Sequence, residues 1–180
     1  MGELTVTVYC GSLSTVPQSY LDLATDVGER IAGRGWDLAW GGGKRSMMGA
    51  VAQAVRDGGR RTTGVIPRSL VEREWADSDA DDLLVVETMR DRKALMEAHG
   101  DAFLALPGGI GTLEELFEVW TSRTLSMHAK PVVLLDVDGH YTGLVRWLGE
   151  LRDRGFVAPA AMGMLTIIDD VDAALDACAS

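Results

Sequence analysis

Short β-branched runs that alternate with longer stretches of helical periodicity predict an α/β protein built on a parallel sheet. Two further observations support that class. Glycine-rich turns follow the first, second and fifth runs, which in a parallel sheet places all three at the carboxyl edge, where such folds bind ligands. No internal repeat or low-complexity linker breaks the alternation, and 180 residues with 47% in the hydrophobic set predict one domain, 1–180, with a sizeable core. The expected fold is Rossmann-like, with helices on both faces of the sheet.

The first strand is expected over 4–10, "LTVTVYC", and the first helix follows in "QSYLDLATDVGERIAGRG", where Leu21, Leu23, Val27 and Ile31 recur near helical spacing. Further strands are expected at 38–40, 62–66, 83–87, 102–106, 132–136 and 165–168. The segment Arg68 to Asp82 is polar and predicts one long excursion over the surface. A second clear helix covers "YTGLVRWLGELRDRG", with Leu144, Trp147, Leu148 and Leu151 on its apolar face.

A formal net charge of −10 argues against broad binding of nucleic acid or an anionic membrane. An anionic small molecule would then need a local group of cations. No apolar run approaches the roughly 20 residues that span a bilayer, and "MGELTVTVYCGS" lacks a signal-peptide pattern, so a cytoplasmic protein is expected. Cys10 and Cys178, far apart and without paired spacing, predict packing roles and not a disulfide or zinc site.

The turns are "CGS" after the first strand, "GGG" at Gly41 to Gly43, and "PGGIG" at 107–111. Glycine alone also makes tight turns with no ligand, so each by itself is open to either reading. "GGGKRS" lacks phosphate-loop spacing and no turn reads G-x-G-x-x-G. In "LPGGIGTLEELFEVW" the glycines allow close backbone approach to an anion, and Thr112 stands where a helix N-cap is expected. Thr112 and Glu115 fit a capping box, worth about 1 kcal/mol, which accounts for the carboxylate without a ligand. In "MRDRKALM", Arg90, Arg92 and Lys93 open a helix against its dipole. They are either cations brought to the ligand edge or a solvated cluster partnered by Asp91 and Glu97.

The pair "MRDRKALM" and "LPGGIGTLEELFEVWT" closely resembles the lonely guy (LOG) family of cytokinin riboside 5'-monophosphate phosphoribohydrolases, with M-x-x-R-K-x-x-M and P-G-G-x-G-T-x-x-E signatures. "VYCGS", "GGGKRSMMG", "IPRSLVERE" and "KPVVLLDVDGHY" extend the resemblance over about residues 4–170. The resemblance implies hydrolysis of the N-glycosidic bond of a purine nucleoside 5'-monophosphate, cytokinin riboside monophosphate or AMP, releasing free base and ribose 5-phosphate. It also implies a homodimer. By resemblance Arg92 and Glu115 are catalytic, and Glu74, Lys93, Gly108, Gly109, Ile110, Gly111, Thr112, Leu113, Glu114 and Thr121 bind substrate. Gly11, Ser12, Gly42, Gly43 and Met89 are further candidate contacts. No metal or organic cofactor is called for, since a carboxylate and water suffice for this chemistry, and nothing marks a pyridoxal phosphate lysine.

The sequence departs from the family pattern at Ser46, which replaces a glycine, and at Ser122, Thr124 and Ser126, where the family shows tryptophan, glutamine and glycine. Arg90 and Asp91 stand where histidine and glutamate are common. Met47, Met48, Met89, Met96 and Met127 either line an adaptable pocket or pack in the core, the latter being the default for most. His99, His128 and His140 lack metal spacing and are expected at the surface or in packing. Two other functions fit the same residues: a nucleotide sensor or carrier that does not cleave, and a deoxyribosyltransferase that passes the sugar to another base.

Overall fold

A computed structural model of the chain describes residues 4–73 and 75–180. Seven strands form one wholly parallel sheet: β1 (Thr5–Tyr9), β2 (Asp37–Trp40), β3 (Thr62–Pro67), β4 (Asp82–Val86), β5 (Ala102–Ala105), β6 (Val132–Leu135) and β7 (Thr166–Ile168), in spatial order β4-β3-β2-β1-β5-β6-β7. Each expected strand is present to within about a residue at either end. The order runs outward from β1 to β4, then returns to the other side of β1 for β5. The reversal leaves a crevice at the carboxyl ends of β1 and β5, the topological switch point of a doubly wound sheet.

The period-2 alternation of the strands sorts side chains to two faces. Val6 and Val8 of β1 and Leu104 of β5 point into a core completed by the helices α1 (Gln18–Gly33), α2 (Ser46–Asp57) and α7 (Val171–Cys178). Tyr9 of β1 and Phe103 and Ala105 of β5 point the other way. There they meet α3 (Met89–His99), α4 (Ile110–Thr124) and α5 (Thr142–Asp153). A short α6 (Pro159–Met162) precedes β7. The strands at the centre are buried on both sides, which is why they read as continuous apolar runs. Register brings the two key turns together: Val6 to Tyr9 pair with Ala102 to Ala105, and the Gly11 N–H donates to the Pro107 carbonyl at 3.1 Å.

The polar excursion after β3 is tethered. Gly43 and Ala76 form an antiparallel bridge, the Lys44 N–H donates to the Trp75 carbonyl, and the Asp77 N–H donates to the Gly42 carbonyl, each bond at 2.8 Å. Asp77 is fully buried and its carboxylate pairs with Arg56 at 2.9 Å. Arg56, the more distant Lys44 ammonium and the Asp79 N–H, which donates at 3.2 Å, together compensate the buried charge.

Two of the departures from the family pattern fall at left-handed backbone positions. Ser46 has φ 55° and Ser126 has φ 59°. Ser126 is the residue after the C-cap of α4, where Met127 N–H reaches back to the Ser122 carbonyl and Ser126 N–H to the Arg123 carbonyl. These bonds define a Schellman ending with serine in the place glycine prefers. Ser46 uses its hydroxyl, which donates to the Leu13 carbonyl at 2.8 Å and ties the turn after β1 to the start of α2.

Candidate active site

A cleft of about 630 Å³ opens at the switch point, walled by the turn after β1, the turn after β5 with the first turn of α4, and the start of α3. Of the residues expected to contact substrate, Arg92, Glu115, Gly108, Gly109, Ile110, Gly111, Thr112, Glu114, Gly11, Ser12 and Met89 line it. Lys93, Leu113, Thr121, Gly42 and Gly43 lie outside its wall, and Glu74 falls outside the described residues.

The glycine turn is built differently from the sequence expectation. Helix α4 starts at Ile110, its N-cap is Gly109 without a side-chain cap, and Thr112 is the third helical residue. Thr112 is therefore not the cap, and Thr112 and Glu115 form no capping box. The threonine is buried beneath the turn instead: a Cβ on Gly108 would lie 2.1 Å from its hydroxyl oxygen, so only glycine fits at 108. The helix thus starts three residues earlier than expected. The first-turn N–H groups, which have no acceptor within the helix, then stand at the wall of the cleft. The reciprocal capping box of this site belongs to α3, between Thr88 and Asp91.

Arg92 sits in that helix and is only 5% exposed. Its Nε donates to the Val65 carbonyl at 3.1 Å and its Nη2 to the Gly41 carbonyl at 2.8 Å. The solvated-cluster alternative does not hold for Arg92. A Cβ on Gly41 would lie 2.1 Å from Nη2, so the glycine after β2 serves to seat the guanidinium. Arg92 thus brings a cation to the cleft while bracing the carboxyl ends of β2 and β3. Lys93, one residue on, pairs with Glu114 and Glu118 across the gap to α4, and not with Glu97. Hydrogen bonds from its ammonium to Glu114 and then Glu118 raise its pKa, which keeps it charged.

Glu115 is half-buried at the cleft, with its negative field reaching the end of β1. Burial, followed by the charge of Glu115, pushes the pKa of Tyr9 well up, and the same two causes raise the Cys10 thiol. Both groups stay neutral and make one wall apolar. Met47, Met48 and Met96 combine the two roles open to them, being buried in the core and exposing an edge to the cleft, whereas Met89 is a rim residue. Met127 is exposed and stands apart from the cleft. His140, expected to be a surface or packing residue, also lines the cleft, together with Tyr20. Nothing in the spacing of "DVDGHY" marked it, because its proximity to Gly108 comes from the neighbouring placement of β5 and β6.

A carboxylate, a buried arginine and a glycine turn at a helix start meet in one crevice of a doubly wound parallel sheet, at the switch point where enzymes of this fold class take small ligands. The chain belongs to the lonely guy (LOG) family of cytokinin riboside 5'-monophosphate phosphoribohydrolases. The model of the family described as "Possible lysine decarboxylase" matches residues 48–178. A Mycobacterium tuberculosis protein named cytokinin riboside 5'-monophosphate phosphoribohydrolase is 54% identical over 99% of this chain and 95% of its own. The Arabidopsis thaliana cytokinin riboside 5'-monophosphate phosphoribohydrolase LOG3 is 46% identical over 87% of this chain and 73% of its own. Among solved structures, the molybdenum cofactor carrier protein of Chlamydomonas reinhardtii superposes with a TM-score of 0.74 at 22% identity, covering 98% of this chain and 96% of that one, a likeness of fold.

Proposed function

We propose that the chain, acting as one domain and as a cytoplasmic homodimer, hydrolyses the N-glycosidic bond of cytokinin riboside 5'-monophosphates or AMP to free base and ribose 5-phosphate. The observation that carries this reading is the placement of Glu115 and Arg92 in the same cleft as the Gly108–Thr112 turn. The two ends of a ribose 5-phosphate need opposite charges, and this arrangement supplies both. First-turn N–H groups of α4 hold the 5'-phosphate, with the helix dipole adding favourable charge. As the base departs, positive charge develops at C1' and the ring oxygen, and Glu115 either stabilises it and directs water to it or attacks C1' to form a glycosyl ester that water then hydrolyses. Arg92, fixed by two backbone carbonyls, orients the carboxylate and helps fix the substrate. Lys93 holds Glu114 in place at the cleft edge. Glu74 and Thr121 join the substrate-binding set by the family resemblance of their motifs.

The test is chromatography of AMP and isopentenyladenosine monophosphate incubated with the protein and with Glu115→Gln. Free base and ribose 5-phosphate from the parent, with at least about a 100-fold loss of kcat in the variant, are expected. Intact nucleotides alongside saturable binding would replace hydrolysis with carriage, and base exchange with an added acceptor would replace it with transfer.

A further inference from the structure

We infer that His140 is a positioning residue that holds the Gly108–Gly109 peptide in its anion-accepting orientation, an inference that rests on the reading of this turn as a phosphate site. The His140 Nε2 lies 3.0 Å from the Gly108 carbonyl oxygen. A carbonyl only accepts, so the proton is on Nε2 and the ring donates. In a trans peptide the carbonyl and the following N–H point in opposite directions, and no cis bond occurs among the described residues. Fixing the Gly108 carbonyl toward His140 therefore turns the Gly109 N–H the other way.

The bond completes a set. The Leu106 carbonyl accepts from the Tyr141 hydroxyl at 2.7 Å, and the Pro107 carbonyl accepts from the Gly11 N–H at 3.1 Å. Three successive carbonyls, at 106, 107 and 108, are thus held by neighbouring elements. The last is the one that most needs holding, because a peptide between two glycines meets the least steric resistance to flipping. A flip would present a carbonyl dipole where a phosphate requires a donor. The ring is itself braced, edge-on to Tyr141 at 4.6 Å and to Tyr20 at 5.7 Å between centroids. The catalytic carboxylate and Arg92 are separate from this contact, so His140 governs affinity for the phosphate end and not the bond-breaking step.

Calorimetric titration with ribose 5-phosphate, which needs no catalysis, tests this on the full chain and on His140→Phe and His140→Gln. Phenylalanine keeps the ring contacts and removes the donor, whereas glutamine restores an N–H at about the reach of Nε2. His140→Phe should bind roughly three- to tenfold more weakly, the value of one neutral hydrogen bond, while staying folded with a melting temperature lower by no more than about 5 °C. His140→Gln should return to within about twofold of the parent. Parent-like binding by His140→Phe overturns the inference, and so does a glutamine variant as weak as phenylalanine. A parent that binds ribose 5-phosphate but releases no base from AMP would refute hydrolysis alone and leave the His140 test intact. A parent that binds no ribose 5-phosphate would overturn the phosphate-site reading and this inference with it.

Discussion

Gly111→Ala separates a glycine kept for the fold from one kept for a ligand. Gly111 is the second residue of α4, outside the left-handed region, and a Cβ built there meets no atom within 4 Å. Alanine in place of glycine in a helix gains about 0.5–1 kcal/mol by restricting the unfolded chain and favouring helical backbone. For a chain of this size that corresponds to a rise in melting temperature of roughly 1–4 °C. The same methyl would stand at the wall of the cleft, beside the turn proposed to hold the phosphate. Weakening one hydrogen bond to a charged group costs about 1.5–3 kcal/mol, or on the order of 10- to 100-fold in KM for AMP. Thermal melting and steady-state hydrolysis on the same preparation read both effects. A variant that melts higher and keeps the parent KM and kcat would refute the close-approach argument for this turn. Gly108→Ala is the contrasting case, since its methyl strikes Thr112 whether or not substrate is present.

Two further predictions concern stability. Ser126→Gly should stabilise the protein by about 1 kcal/mol, because it relieves a left-handed serine inside an otherwise complete Schellman ending; a denaturant midpoint at or below that of the parent would count against this account of the helix end. Asp81 accepts the Thr62 N–H at 2.8 Å, and that backbone bond is the main cause lowering its pKa. Its folded pKa lies below the unfolded value of about 4, so its contribution is present above pH ~4 and is lost as pH falls through the folded value. Urea titrations from pH 7 to pH 3 should show the parent more stable than Asp81→Asn at neutral pH, with the gap closing below about pH 4; a gap independent of pH would exclude this linkage.

Much of this molecule was readable from local pattern. Every strand of the parallel sheet and the edge carrying the glycine turns follow from periodicity and composition within windows of a few residues, whereas the pairing of "MRDRKALM" with "LPGGIGTLEELF" was legible only through the family resemblance. Local pattern failed where a distant contact outweighed it. Thr112 looked like a cap but is buried under Gly108, Arg92 was open to a ligand-edge or a solvated reading until the Val65 and Gly41 carbonyls seated it, and Asp77 lies buried against Arg56 within a segment polar enough to read as surface. His140 acquired its place at the cleft because β6 pairs with β5, an adjacency that no spacing along the chain encodes. The division has a physical origin. Hydrophobic burial is periodic and additive along the chain, whereas the partner of a buried polar group must be found within about 3 Å, and which atom meets that requirement is decided only when the sheet assembles.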